Sequence, residues 1–193
     1  MGEYKSADEL VRSMPKNSSG QIDGDALEDK LIRLNQTWLE PGAIVLITSL
    51  DLYMKGTPWC FALSKRRTTV QSVHRFRGLS EKDESLCIRR TLKHELGHIY
   101  GCPANIRRSN TVENMGTHCT NPGCVMRQVS SVSSLIYAAK NENPYNCFCP
   151  QCSKDIMDYR RWCEAIDARR AMPLSSRPRS VASGGNTTKN SGL

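Results

Sequence analysis

The sequence predicts an α+β domain in which a mixed, twisted sheet is followed by a helix that carries the chemistry. Three observations predict it. Residues 43–76 are rich in β-branched residues and broken by turn formers, residues 83–100 repeat apolar side chains at helical spacing, and the last third alternates cysteine turns with helical stretches.

In chain order, residues 1–20 are polar, end in PKNSSG, and read as a leader or a loosely docked first element. From Ile22 to Leu39 the positions Ile22, Ala26, Leu27, Leu31, Leu34 and Trp38 recur near 3.6, so one surface helix is expected, stopped by Pro41 and Gly42. AIVLITSLDLY, residues 43–53, is continuously apolar and β-branched, which predicts one buried strand. A turn at Lys55, Gly56 and Pro58 precedes a second strand from Trp59 to Leu63, and TTVQSVHRF, residues 68–76, gives a third.

The strongest helix runs from about Asp83 to Tyr100, with Leu86, Ile88, Leu92, Leu96 and Ile99 on one face and Gly101 placed to end it. From Cys102 to Val125 no period is visible, and asparagines, glycines and prolines predict a long irregular connection. A short helix is expected over 129–140, a tight cysteine turn over 145–152, and a final helix from Ser153 to Met172. The domain is therefore read as 21–172, and the Ser-, Gly- and Asn-rich segment 173–193 as a disordered tail.

Composition narrows the function. With 193 residues and 38% hydrophobic content the chain supplies one core. The net charge of +8 allows acidic partners or nucleic acid without specifying either. Its longest apolar run, residues 43–50, falls well short of the roughly 20 residues of a membrane helix, and the charged first residues do not read as a secretory signal. A cytoplasmic monomer without a membrane partner is the expectation. Nine cysteines, an odd and locally clustered set, fit metal ligation in a reducing compartment better than a disulfide framework.

The segment HELGH places His94 and His98 four residues apart, on one helix face, with Glu95 beside the first. Two imidazoles leave a tetrahedral zinc ion short of a third protein ligand. Gly101 can take a left-handed backbone angle and turn the chain back toward such an ion. Ala104 lies where a direct turn would put the ligand, so the candidates are His118, Cys102 and Glu113, with His118 favoured. Loop closure grows only logarithmically with length, so the excursion to His118 is affordable.

Cys119 and Cys124 enclose TNPG, and Cys149 and Cys152 enclose Pro150 and Gln151, two chelating turns of the kind that form a closed four-sulfur zinc site. Cys147 is an alternative member of the second pair. Cys60, Cys87 and Cys163 lie in apolar or helical contexts and read as packing residues.

Together, HELGHIYG at 94–101, HCTNPGCVM at 118–126 and CPQC at 149–152 resemble the archaemetzincins, a branch of the metzincin zinc peptidases, and LITSLDLYMKGTPWCFALS at 46–64 resembles their strand, aspartate and second strand. The resemblance spans about residues 40–160. Here the third histidine follows the glycine by seventeen positions, 118 against 101, where the family usually has three. The resemblance implies a compact metzincin-like protease domain whose C-terminal helical part is clipped by a structural zinc. His94, His98 and His118 would bind a catalytic Zn2+, Cys119, Cys124, Cys149 and Cys152 a second, and Met126 would lie beneath the first.

The implied activity is peptide-bond hydrolysis on a peptide or protein substrate, with Glu95 as general base, and the resemblance extends to an aminopeptidase-like action. Tyr100 and His74 are candidate oxyanion donors, and Glu113, Asp51 and Glu142 are candidate carboxylates for a substrate amino terminus. The strand WCFAL can flank the cleft and pair with extended substrate. Two rival readings are a SprT-like DNA-associated protease and a zinc-stabilised interaction module without activity.

Overall fold

The computed structural model describes residues 6–36 and 43–172. Trp38, Leu39, Pro41 and Gly42, and the tail from 173 onward, lie outside them.

The first helix, α1 (Ala7–Ser13), is started by Ser6, whose hydroxyl accepts from the Glu9 amide at 3.1 Å. Its Leu10 and Val11 are buried in the main core, so part of the segment read as a polar leader is docked. Ile22 and Asp23, expected to open the next helix, instead form a short strand β1 (Ile22–Asp23), and α2 runs from Gly24 to Gln36. Asp23 accepts from the Ala26 amide at 3.1 Å, the capping interaction that moves the helix start past it.

The run 43–53 does not make one strand. It divides into β2 (Ile44–Thr48) and β3 (Leu52–Met54), which belong to different sheets. The second expected strand divides likewise at Phe61, into β4 (Thr57–Cys60) and β5 (Ala62–Lys65). With β6 (Thr68–Ser72) these give two mixed three-stranded sheets, ordered β1-β3-β4 and β2-β6-β5. In the first, β1 and β3 are parallel and β3 and β4 antiparallel; in the second, β2 and β6 are parallel and β5 and β6 antiparallel.

The strand that looked most buried is an edge. Val45 and Ile47 of β2 are 40% and 49% exposed, whereas all five residues of β6, a threonine-rich strand, are buried. Centrality outweighs hydropathy here because three of the four polar side chains of β6 find a partner: Thr69 donates to the Leu63 carbonyl, Gln71 to that of Ile88, and Ser72 to that of Leu50, while Thr68 Oγ1 and Gln71 Oε1 have none.

After a 3-10 turn at His74–Phe76, α3 covers Glu81–Ile99. Ser80 caps it by accepting from Asp83, and Glu81, Asp83 and Glu84 sit at the positive end of its dipole. Successive residues of a strand face opposite ways. Leu63 accordingly packs with Leu27, Leu31, Leu46 and Val70 on the α2 side, while Ser64 and Gln71 meet α3. The sheet thus lies between the two helices.

The connection expected to be irregular holds a hairpin, β7 (Thr111–Glu113) and β8 (Thr117–Cys119), with Val112 opposite His118. α4 (Val132–Lys140) and α5 (Pro150–Ala171) complete the chain. Among the described residues no helix is long and apolar enough to cross a membrane.

Candidate metal centre

α3 carries His94 and His98 one turn apart, and their Nε2 atoms lie 3.2 Å from each other. Gly101 ends the helix with φ +73°, and Tyr159 packs so closely that a Cβ there would sit 2.8 Å from its ring. Only glycine satisfies both demands.

The excursion that follows is fastened to the start of α5. The Ala104 amide donates to Asp155 Oδ2 at 3.1 Å, Arg107 Nη1 donates to the same oxygen at 2.8 Å, and Asn110 donates to Gln151 at 3.1 Å. From this base the β7–β8 hairpin returns His118 to the helix. Its ring centroid lies 5.2 Å from that of His94 and 5.1 Å from that of His98.

One nitrogen of each ring is oriented by the backbone. His94 Nδ1 donates to the Val125 carbonyl at 2.9 Å and His118 Nδ1 to the Gly116 carbonyl at 3.0 Å, while His98 bonds the backbone of Cys102. These bonds leave Nε2 of His94 and His118 as the unprotonated nitrogen. Burial pushes His94 and His98 down to about 4 and lowers His118 as well, so all three are neutral bases at physiological pH.

The donor set fits a tetrahedral ion. Bonds of about 2.0–2.1 Å to nitrogen place two ligands of a tetrahedron roughly 3.3 Å apart, close to the 3.2 Å between His94 and His98. Ligating atoms of His94, His98 and His118 all lie within 4.8 Å of one another. The two rivals line the same cleft but stand outside the imidazole group: Glu113 accepts from the Thr117 hydroxyl at 2.8 Å, and Cys102 groups with Cys152 and Asp155.

A second group brings together Cys119, Cys124, Cys149 and Cys152, again within 4.8 Å. Zinc–sulfur bonds of about 2.3 Å predict sulfurs roughly 3.8 Å apart, and Cys119 Sγ lies 3.8 Å from Cys149 Sγ. Cys149 is also the N-cap of α5, yet its side chain makes no capping bond, because the sulfur faces its cluster. Cys147 is outside the group and contributes its carbonyl to the Val125 amide at 2.7 Å. Arg107, whose side chain is 5% exposed, donates to Cys152 Sγ at 3.3 Å and brings positive charge to the sulfurs.

Met126 is fully buried, in a turn closed by the Arg127 amide on the Cys124 carbonyl at 3.1 Å. It packs on α3 at Gly97, where a methyl group would overlap the Met126 sulfur. The turn is joined to the first cluster through His94 and Val125, and to the second through the Cys119 amide on the Met126 carbonyl at 3.0 Å.

Glu95 is 6% exposed and receives the Ser64 hydroxyl at Oε2 over 2.6 Å. Burial raises its pKa, while the neighbouring His98 ring and the Ser64 bond pull the other way. Glu95 and the three histidines line an open cleft of roughly 1660 Å³, walled by β4, β5, the 102–118 excursion and α5. Tyr100 and His74 do not line it: Tyr100 is 50% exposed beyond the helix end, and His74 bonds the Ser49 carbonyl at 3.3 Å.

No family sequence model matches the chain, and no curated protein matches it. Solved structures do. Archaemetzincin from Methanopyrus kandleri superposes with a TM-score of 0.59 at 21% identity, over 83% of this chain and 91% of that one. The chain has the archaemetzincin fold. A zinc-dependent peptidase from Methanocorpusculum labreanum (strain Z) superposes with a TM-score of 0.55, also at 21% identity, over 73% of this chain and 78% of the other. Within this archaemetzincin fold, the described residues include a group of three imidazoles and a group of four thiols that could each hold a metal ion, and a third group, Cys102 with Cys152 and Asp155, shares Cys152 with the second.

Ser64 and Arg107 are the site residues that the sequence did not disclose. Ser64 is 31 residues from Glu95 and closes the stretch 46–64, where nothing marks it as the partner of that carboxylate. Arg107 lies in a stretch without period and 45 residues from the thiol it meets.

Proposed function

We propose that the chain is a zinc-dependent peptidase in which His94, His98 and His118 hold the catalytic ion and Glu95 is the general base. The observation that carries this reading is the convergence of three neutral imidazoles beside a buried carboxylate at the floor of an open cleft. A zinc ion held there acidifies a coordinated water and polarises a carbonyl.

The protein's own groups perform the rest. Ser64 holds Oε2 of Glu95, which leaves Oε1 to take the water's proton and then hand it to the departing amine, so one carboxylate does acid and base work. β5 is the edge of its sheet and lines the cleft, so an extended substrate can pair with its backbone. Cys119, Cys124, Cys149 and Cys152 would hold a second, structural zinc, and through Cys119 and Cys149 these ligands would tie β8, and with it His118, to the start of α5. Cleavage at the first peptide bond, an aminopeptidase action, is the finer form of this proposal.

The test is a peptide-library digest with the zinc-loaded protein and its Glu95→Gln variant. Cleavage that disappears in the variant supports the proposal, and absence of any Glu95-dependent cleavage leaves a zinc-stabilised interaction module.

A further inference from the structure

An aminopeptidase needs an anion for the substrate's amino terminus, and each of the three carboxylates suggested by the sequence already has a partner, Glu113 being an exposed residue of the cleft wall. Asp51 accepts from Arg75 at 3.0 and 2.8 Å and from Gln21 at 2.9 Å. Glu142 is buried against Arg90 at 2.7 Å and Lys93 at 2.5 Å. Glu113 serves the hairpin through Thr117.

Glu28 on α2 differs from all of them. It is 3% exposed and lines the same cleft as Glu95 and the imidazoles. Its Oε1 is buried without a hydrogen-bond partner, a condition that costs free energy in a native protein. The carboxylate does accept from the backbone N–H of Lys65, at the end of edge strand β5. The Lys65 ammonium is turned away to Asp29, 2.8 Å distant, and therefore does not fill the position beside Oε1. Among the described residues no group of three metal-ligating side chains includes Glu28, which disfavours an inorganic cation as the missing partner.

We propose that Glu28 receives the free α-amino group of a peptide whose extended chain lies along the edge of β5, with its first peptide bond at the imidazole cluster. The inference rests on the peptidase reading above and specifies its substrate class: peptides with an unblocked amino terminus. Edge-strand pairing fixes the peptide's direction and depth, and the carboxylate where β5 ends stops it at its first residue. An ammonium supplies both the hydrogen bond that Oε1 lacks and the opposite charge that a buried carboxylate requires. Burial, and then the charge of Glu95, hold the Glu28 carboxyl up at about 8, so binding of the cation is coupled to loss of a proton.

The test is calorimetric titration of the zinc-loaded full chain with a pentapeptide whose first peptide bond is replaced by a hydroxyethylene, in free-amine and N-acetylated forms. Acetylation is expected to weaken binding about 10- to 100-fold, the range for a hydrogen bond to a charged group, and Glu28→Gln to remove most of that difference. Equal affinities in the native protein, a difference that survives Glu28→Gln, or absence of binding by either form overturns the proposal. So does recovery of tight binding when an acetylated peptide carries a basic side chain, since the site would then read a side chain.

A parallel digest of free and acetylated peptides separates this inference from the activity. Glu95-dependent cleavage that ignores acetylation sinks the role of Glu28 and leaves the peptidase intact. Amine-dependent binding without any Glu95-dependent cleavage sinks the peptidase and leaves Glu28 as a binding residue.

Discussion

The Ser64 hydroxyl donates to Glu95 Oε2 across 2.6 Å and lies 3.3 Å from the Glu95 carbonyl, so one side chain of β5 fixes both the carboxylate and its position on α3. Ser64→Ala removes that constraint without touching the imidazoles. We expect kcat to fall about tenfold, the weight of one charge-assisted hydrogen bond, with zinc content unchanged by atomic emission. An unchanged kcat would show that Glu95 is held by packing alone.

His118 and the thiols are separable by metal analysis. The native chain should carry two zinc ions, and His118→Ala one, with loss of activity and a thermal midpoint close to native. Retention of both ions would mean that another side chain completes the first site, as in the SprT-like reading.

Arg107 is a buried cation between Asp155 and the sulfur cluster. Arg107→Met leaves Asp155 without its charge partner, and breaking such a pair costs about 3 kcal/mol. Chemical denaturation should register that loss, and a chelator should strip the cysteine-bound ion faster. A variant as stable and as slow to release zinc as the native protein contradicts the anchoring role given to this arginine.

Glu28 makes stability fall as pH rises. Its carboxyl is raised from 4.5 to about 8, first by burial and then by Glu95, with Lys65 opposing. Between those values the folded chain holds a proton that the unfolded chain has released, so this group's contribution is full below 4.5 and is lost on the way to 8. Glu28→Gln should flatten the curve, with a gain on the order of 2 kcal/mol at pH 8 relative to pH 5. Parallel stability curves for the two proteins over that range would refute it.

Gly97 faces Met126 and Phe148, and a methyl group there would overlap the methionine sulfur. Gly97→Ala should therefore destabilise by about 1–3 kcal/mol through overpacking, despite alanine's better helix propensity. Gly97→Ala combined with Met126→Ala should recover part of the loss. No recovery would indicate that Phe148 is the blocking neighbour.

The helix of the site was legible because its signals are local. Spacing of apolar residues and Gly101 define α3, whose observed start at Glu81 lies two residues ahead of the expected one because Ser80 caps it, and HELGH needs nothing beyond that helix to align its side chains. The CxxC turn at the head of α5 was legible for the same reason. Strand boundaries were not. β2 and β3 form one apolar run, and it is the tertiary demand to serve two sheets that divides them at Ser49–Asp51. β6 was hard to rank because its burial depends on neighbours that satisfy threonine and glutamine, which no window of sequence contains. The same limit hid Ser64, Arg107 and Glu28, whose significance lies in partners dozens of residues away.

His118 and Cys119 are consecutive in β8, and the pleat of that strand sends one side chain to the imidazoles and the next to the thiols. A slip of one residue in the pairing of β7 with β8 would exchange their directions and dismantle both clusters at once. The span from Thr111 to Cys119 thus has its length frozen by the parity of a single strand.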